Sequence, residues 1–387
     1  MKSFKWLQFT DLHLNPQESF DKSIAKMEML NYLNEKKFKC DYVFFTGDIA
    51  NRGNYGATKE FVEQILKTVD VSYENVFWSA GNHDIRRGLK EREAIINEIR
   101  NAKDPSQAFG KAMSDGAKRE ILTRSGINDY IENYKELFPH GNGIHLSPAN
   151  ISDAHVFYGL DKLNLVVLNT CLTSCDDEDP GKLMIAENRL AQVFDNLADC
   201  DSKKPFFVIG HHGIDFFQEG EKKYLIQLFD IKGVDFYLCG HAHELGYKLF
   251  TDVERDIHQI TCGGLSYDGY SVISFVYGEF YIENCSVHVT IHSYSDKGDK
   301  KWHEDYSQHQ RLRKNNRFHI DRLFPHALKQ LYWPAIIMAA FSILSLLPQI
   351  LRGFMPISLG VTIFGLIFAF CYGLRVRLKI PISRGKG

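Results

Sequence analysis

Imidazole and carboxylate side chains recur along this chain in five short clusters. They are Asp11-Leu12-His13, Gly47-Asp48, Gly81-Asn82-His83-Asp84, Gly210-His211-His212 and Gly240-His241-Ala242-His243. One Asp-x-His pair arises by chance in many proteins. Five clusters in order, each closing an apolar run, are a pattern that chance does not supply. Nitrogen and carboxylate donors together suit borderline divalent cations such as Mn, Fe or Zn, whereas all-oxygen sets suit Mg or Ca. Two such ions bridged by one Asp would clamp a phosphoryl group and lower the pKa of a bridging water, giving a nucleophile near neutral pH.

The segments that must position these clusters are short and apolar. Lys5–Phe9 runs into Asp11, Tyr42–Phe45 into Gly47, Val76–Trp78 into Gly81, Phe206–Ile209 into Gly210, and Val234–Leu238 into Gly240. Their length and their aromatic and β-branched content predict buried strands. Helical patterns over Lys22–Lys37, Thr58–Val69 and Gln218–Phe229 lie between them. Strand alternating with helix predicts an α/β body. In such sheets ligands collect beyond the carboxyl ends of strands, where all five clusters fall.

Leu163–Leu168 predicts another buried strand, and Lys248–Leu265, Val272–Phe275, Phe280–Cys285 and Val287–Tyr294 predict a meander. Arg86–Phe138 is charged, helical in pattern and too long for a connector. Residues 86–150 therefore read as an inserted helical cap beside the Asn-His-Asp loop, within a body of residues 1–295. Residues 296–328 read as a polar, basic linker.

The chain has 387 residues, enough for two or three structural units. With 44% hydrophobic and 24% charged residues it is neither disordered nor fibrous in type. Its eight cysteines are scattered behind no secretory signal, which predicts a reducing compartment. The net charge of −2 hides an asymmetry: His326–Gly387 carries seven Lys/Arg and no acid, leaving 39 basic against 48 acidic residues before it. An acidic body is a poor general binder of nucleic acid, which is held through many Lys and Arg contacts to phosphate.

The same tail holds two uncharged stretches, Gln330–Leu351 and Gly353–Leu374, separated only by Arg352. Each is about the ~20 residues that a spanning helix needs. Pro348 and Pro356 bracket the turn, and Tyr332, Trp333 and Tyr372 sit near the ends. Basic residues flank the outer ends of the pair, from Arg311 to Lys329 and from Arg375 to Lys386. The positive-inside bias then predicts a transmembrane hairpin over 329–387, contacting the bilayer through 330–374, with both termini on the cytoplasmic face of the cell inner membrane. Gly353, Gly360, Gly365 and Gly373 offer small surfaces on which hairpins of a homo-oligomer could pack.

Taken together, the five clusters resemble those of the calcineurin-like metallophosphoesterase superfamily over roughly residues 4–295. The stretch His211–Glu244 looks particularly like bacterial members that include cyclic-nucleotide phosphodiesterases. The resemblance implies a two-sheet αββα sandwich with two divalent metal ions (Mn, Fe or Zn) at one edge. It implies that Asp11, His13 and His243 hold the first metal, that Asp48 bridges both, and that Asn82, His211 and His241 complete the second. His83 would be the leaving-group acid or a donor to a phosphoryl oxygen, a role that suits a side chain titrating near working pH. The expected function is a membrane-anchored, dinuclear phosphoesterase acting on a phosphodiester or phosphomonoester, a nucleotide or cyclic nucleotide foremost, by metal-bridged hydroxide attack. The alternatives are a lipid head-group pyrophosphatase or phosphodiesterase at the membrane face, and a non-hydrolysing membrane sensor or scaffold.

The chain departs from its relatives in places. His211-His212-Gly213 stands where relatives often have His-x-Pro, so either histidine could be the ligand, and spacing favours His211. Asn51 stands where relatives carry an Asp that orients the catalytic His; an amide stabilises an imidazolium less, and Asp84 is the candidate to compensate. Arg52 aligns with a phosphate-contacting Arg in some relatives and reads equally as a surface residue. The histidines outside the clusters show no ligand spacing and are expected to be structural or solvated. Asp176–Asp179 reads as a solvated loop, or as part of the site's mouth.

Overall fold

A computed structural model describes residues 3–319 apart from 15–19, 51–57, 126–131, 133–154, 177–178, 196–203, 251–255, 267–271, 284, 296–299 and 306–316. The chain divides into Met1–Ile320 and Asp321–Gly387, and every described residue belongs to the first unit. Asn51, Arg52 and the predicted hairpin over 329–387 lie outside the described residues. Among the described residues no helix is long and apolar enough to cross a membrane.

The apolar runs form two packed sheets. The first half comprises β1 (Ser3–Phe9), α1 (Phe20–Glu35), β2 (Tyr42–Phe45), α2 (Thr58–Val69) and β3 (Val76–Trp78). Three helices follow, α3 (Lys90–Arg100), α4 (Pro105–Ser114) and α5 (Gly116–Arg124). The second half comprises β4 (His155–Gly159), β5 (Asn164–Leu168), α6 (Glu187–Asp195), β6 (Phe206–Ile209), α7 (Glu219–Lys232), β7 (Phe236–Cys239), β8 (Gly246–Phe250) and β9 (Ile257–Thr261). The chain then returns through β10 (Ser274–Tyr281), β11 (Ser286–Tyr294), β12 (Trp302–Glu304) and β13 (Arg317–His319). One sheet is ordered β12-β11-β10-β1-β2-β3, with β13 also on β11; the other is β4-β5-β6-β7-β9-β8.

The strands that carry the clusters run parallel, β1 to β2 to β3 in one sheet and β5 to β6 to β7 to β9 in the other. Both faces of these strands are covered, which is why they read as continuous apolar runs rather than alternating ones. Phe4, Trp6, Tyr42, Phe44 and Phe77 point inward and meet Phe207, Ile209, Phe236 and Leu238 between the sheets. The alternate residues Leu7, Phe9, Val43, Phe45 and Trp78 point outward, to α1 and α2. Val62, Ile65, Leu66 and Val69 form the buried stripe of α2, at the i, i+3, i+4, i+7 spacing of one helical face. On the far side, Val166, Phe206, Val208 and Tyr237 pack against α6 and α7. The layers are thus helix, sheet, sheet, helix, and the carboxyl ends of β1, β2, β3, β6 and β7 converge on one edge.

Helices α3, α4 and α5 lie within residues 86–150. Asp104 caps α4 through Gln107 N at 3.0 Å, with Pro105 at the first helical position, and Asp115 caps α5 through Ala117 N at 2.9 Å. Ile95, Ile96, Ile99, Phe109 and Met113 bury against Leu172 and Met184, so the cap packs on the chain that follows β5. Residues 126–150 of the expected cap, except Glu132, lie outside the described residues.

Three expectations change. The stretches over Val272–Phe275 and Phe280–Cys285 belong to one strand, β10, because Gly278 sits mid-strand and continues the pairing: it opposes Trp6 and Val289. The stretch read as a linker adds β12 and β13 to the first sheet, pairing Trp302 with Tyr294 and Phe318 with Val287. In β12, an edge strand, Trp302 is buried while His303 is exposed, so the polar signal of the segment hid a strand. Strand β4, antiparallel to β5, was not expected from its mixed sequence His155–Gly159.

Candidate metal centre

Three of the five clusters turn sharply off their strands. Asp11, His13, Asp48, His241 and His243 all have positive φ, between 43° and 68°. Non-glycine residues rarely adopt this conformation, at a cost of about 1–3 kcal/mol each, and such strain gathers at functional sites. Backbone bonds lock the turns together: Asp11 N donates to Gly47 O at 3.0 Å, His13 N to Asp48 O at 3.0 Å, and Gly240 N to His211 O at 2.9 Å. Close approach excludes side chains between them. A Cβ on Gly47 would lie 2.4 Å from His211 Nδ1, and one on Gly81 would lie 2.1 Å from Asp48 Oδ1.

Two groups of ligating atoms meet at Asp48. In the first, His243 Nε2 lies 3.2 Å from Asp11 Oδ1 and 3.3 Å from His13 Nε2. In the second, His211 Nε2 lies 2.9 Å from Asn82 Oδ1 and 3.2 Å from His241 Nδ1, which is itself 3.1 Å from Asn82 Oδ1. Asp48 Oδ2 faces both, 3.2 Å from His211 Nε2 and 3.9 Å from His13 Nε2. The structure therefore brings Asp11, His13, Asp48, Asn82, His211, His241 and His243 together.

The atoms that do not face the centre are held elsewhere. Asp11 Oδ2 accepts from Thr10 Oγ1 at 2.7 Å and His241 N at 2.9 Å. Asp48 Oδ1 accepts from His83 N at 2.7 Å. His211 Nδ1 donates to the Thr46 carbonyl at 2.8 Å, which in the neutral ring leaves Nε2 as a lone pair. Lone pairs of Asn82, His211 and His241 then face one another across about 3 Å. Such acceptors repel; a proton on His211 or a metal ion among them relieves that repulsion, and this donor set fits a borderline divalent ion. The same field acts on protons. Burial pulls His211 down, but Asp48 and Asp11 outweigh it and hold the ring up at about 9. Burial pushes Asp11 and Asp48 up, yet the surrounding imidazoles hold Asp11 at about 2 and Asp48 well below the usual carboxylate range. Burial, reinforced by His211, pulls His241 down to about 4.

The chain's remaining candidates divide. His83 stands edge-on to His13, with ring centroids 4.7 Å apart. Burial pulls it down to about 4, so it is neutral near pH 7, and its buried Nδ1 makes no hydrogen bond among the described residues. Asp84 is therefore not the partner of His83 Nδ1. Its oxygens accept from Asp48 N at 2.7 Å, Gly81 N at 2.9 Å and Ala50 N at 3.0 Å, tying the loops after β2 and β3 together. Burial and the Asp48 charge push it up to about 7. His211 rather than His212 turns to Asp48; His212 is fully buried against His241, with Nδ1 2.9 Å from Thr170 Oγ1.

The pattern of the calcineurin-like phosphoesterase family matches residues 4–245. The chain belongs to that family. It is a family of metal-dependent phosphoester hydrolases, and all seven candidate ligands lie within the matched span. The chain is also 25% identical over 327 residues to an uncharacterized metallophosphoesterase-like protein, YydB, of Bacillus subtilis strain 168, covering 82% of this chain and 65% of that one. The chain thus spans less than two thirds of the curated relative it matches. Among solved structures it is similar to purple acid phosphatase PPD1 from yellow lupin, at 11% identity and a TM-score of 0.47, covering 79% of this chain and 55% of that one. It is similar also to zinc-complexed Vps29 from Entamoeba histolytica, at 11% identity and a TM-score of 0.34, covering 78% and 98%.

Sequence reasoning did not single out Thr10, Thr46 or Arg87. Thr10 and Thr46 were marked only by being polar at the end of apolar runs. Arg87 had a weaker signal, a basic residue three positions after Asp84; in the folded chain its Nη2 lies against the Asn82 amide nitrogen. Asp179 corrects the expectation of a solvated loop: it is buried and paired with Arg100 and Ser174 Oγ.

Proposed function

We propose that this chain is a two-metal phosphoesterase in which Asp11, His13 and His243 hold one cation, Asn82, His211 and His241 hold the other, and Asp48 is shared. The observation that supports this reading is the single oxygen Asp48 Oδ2 facing both ligand groups. Two divalent cations bound here would draw charge from phosphoryl oxygens and lower the pKa of a bound water. The chain's own residues prepare that chemistry. Asp48 cannot rotate, because His83 N holds its other oxygen. The His211 tautomer is set by Thr46 O. His83, neutral near pH 7, serves as a hydrogen-bond donor to a phosphoryl or leaving oxygen rather than as a standing imidazolium.

The acidic body and the family's bacterial members support a small nucleotide or cyclic nucleotide as substrate. The uncharged stretches Gln330–Leu351 and Gly353–Leu374 support attachment to the cytoplasmic face of a membrane. A tag on the C-terminus that a protease reaches only from the outer side would refute that topology.

The test is hydrolysis of bis-p-nitrophenyl phosphate and p-nitrophenyl phosphate by the full-length, Mn²⁺-loaded protein, with Asp48→Asn as blank. Metal-dependent cleavage absent from the blank is expected. Two bound metals per chain with no cleavage of any nucleotide or aryl phosphoester would turn the reading toward a ligand-sensing role.

A further inference from the structure

The two histidines of the second ligand group are held in different ways. His211 is oriented by the bond from its Nδ1 to the Thr46 carbonyl at 2.8 Å. His241 turns Nδ1 toward Asn82 and His211, and its Nε2 makes no hydrogen bond among the described residues. A metal-ligating imidazole is ordinarily fixed through its other nitrogen. At His241 two rings stand where that bond would be. Its centroid lies 4.3 Å from that of His212 and 4.7 Å from that of Phe216, which it meets edge-on at 87°. His212 and Phe216 are themselves 5.7 Å apart, so the three rings close a triangle. We propose that Phe216 is a positioning residue: its ring, with His212 as a second wall, sets the His241 imidazole for the second cation. The assignment rests on the two-metal reading above and adds to it a residue outside the five clusters.

Both walls are anchored. His212 N donates to Thr170 Oγ1 at 3.2 Å, its carbonyl accepts from Tyr237 OH, and its Nδ1 lies 2.9 Å from Thr170 Oγ1. Gly210, two residues earlier, fits beneath the same tyrosine only because it lacks a Cβ, which would lie 2.6 Å from Tyr237 OH. Phe216 ends the short turn Ile214–Phe216. Its N–H donates to Gly213 O at 3.0 Å, its carbonyl accepts from Leu183 N at 3.2 Å, and Ile214 N donates to Gln259 Oε1 at 3.1 Å. The Phe216 side chain is half-buried and packs against the core beneath α6 and α7. It carries no ligating atom, so it acts on the ion only through His241. Aromatic pairs favour an edge-to-face arrangement with centroids about 4.5–7 Å apart, and a flat ring therefore resists a rotation of His241 that an aliphatic chain would follow.

The experiment titrates Mn²⁺ into the full-length, chelator-treated protein by calorimetry, with bound metal counted and thermal unfolding without metal recorded on the same samples. The wild type should take up two ions. Phe216→Leu and Phe216→Met, which keep apolar bulk but lose the flat ring, should bind one ion as the wild type does and the other about 10-fold more weakly, the loss typical when the support of a ligand is removed. Phe216→Tyr, which keeps the ring, should restore the second affinity. Without metal all three variants should unfold close to the wild type. Wild-type affinity for both ions in the Leu and Met variants would overturn the proposal. So would a loss of both ions in step, or a loss that Phe216→Tyr does not restore, since either would make Phe216 ordinary packing. A wild type that takes up a single ion would overturn the two-metal reading and this assignment together. Two ions, the second dependent on the Phe216 ring, in a protein that cleaves no phosphoester would support the assignment and refute the hydrolase reading alone.

Discussion

The backbone N–H of His83 donates to Asp48 Oδ1 at 2.7 Å, so the residue proposed to meet the substrate also aims the residue proposed to bridge the metals. One oxygen of Asp48 is thereby spent on orientation and the other is turned to His13 and His211. Asp48→Asn keeps the shape and removes the charge that both positions share. It should abolish hydrolysis and reduce bound metal at both positions together. Metal analysis beside an activity assay decides this, and full activity in the variant would remove the shared-carboxylate assignment.

Glycines make the same point through space. A Cβ on Gly81 would meet Asp48 Oδ1 at 2.1 Å and Asp48 N at 2.3 Å, and the latter is backbone that cannot swing away. Gly81→Ala should therefore destabilise the fold by about 1–3 kcal/mol and lower metal occupancy. Gly110 lies inside α4 with nothing within 4 Å of its would-be Cβ, so Gly110→Ala should stabilise by about 0.5–1 kcal/mol. Thermal unfolding of both variants tests the pair, and equal effects would refute the steric account.

Much of this was legible before folding. Asp11, His13, Asp48, Asn82, His211, His241 and His243 stood out because parallel strands buried on both faces are uniformly apolar, and polar clusters at their ends contrast sharply. What the sequence hid was anchored by backbone or by distant chain. His211 is oriented by a carbonyl 165 residues away, at Thr46, and a carbonyl leaves no trace in residue identity. Strand β4 was hidden because its partner β5 carries the apolar signal. The merging of two expected strands into β10 turned on Gly278, where a Cβ would lie 2.1 Å from the Trp6 indole.

Arg92 shows a structural charge where the sequence suggested only a charged helix. Buried on α3, it donates to Ser174 O at 2.6 Å, Cys171 O at 2.8 Å and Leu172 O at 3.0 Å. Cys171 in turn lies 3.5 Å from Ala80 O, next to Gly81. Arg92→Met should cost about 3 kcal/mol or more, because three carbonyls lose a charged donor in a buried place. Denaturant unfolding would measure it. A loss under about 0.5 kcal/mol, the range of surface substitutions, would show the clamp to be dispensable.

His258 predicts how stability responds to acid away from the metal centre. It lies on β9, stacked on Phe236 with centroids 5.4 Å apart, and its Nδ1 is 2.8 Å from Tyr247 OH. Burial pulls it from 6.5 to about 4, against a smaller opposing pull from Asp256. The unfolded chain therefore takes up a proton below pH 6.5 that the folded chain refuses until about pH 4. Stability from this group is complete above pH 6.5 and is lost as pH falls through that window, by about 2 kcal/mol at pH 5. Other buried histidines add to the wild-type slope, so the comparison needs a variant. His258→Gln keeps a partner for Tyr247 and cannot titrate. Its loss of stability between pH 7.5 and pH 5 should be smaller than that of the wild type by about that amount. Equal slopes in the two proteins would mean that His258 is protonated in the folded chain as readily as in the unfolded one.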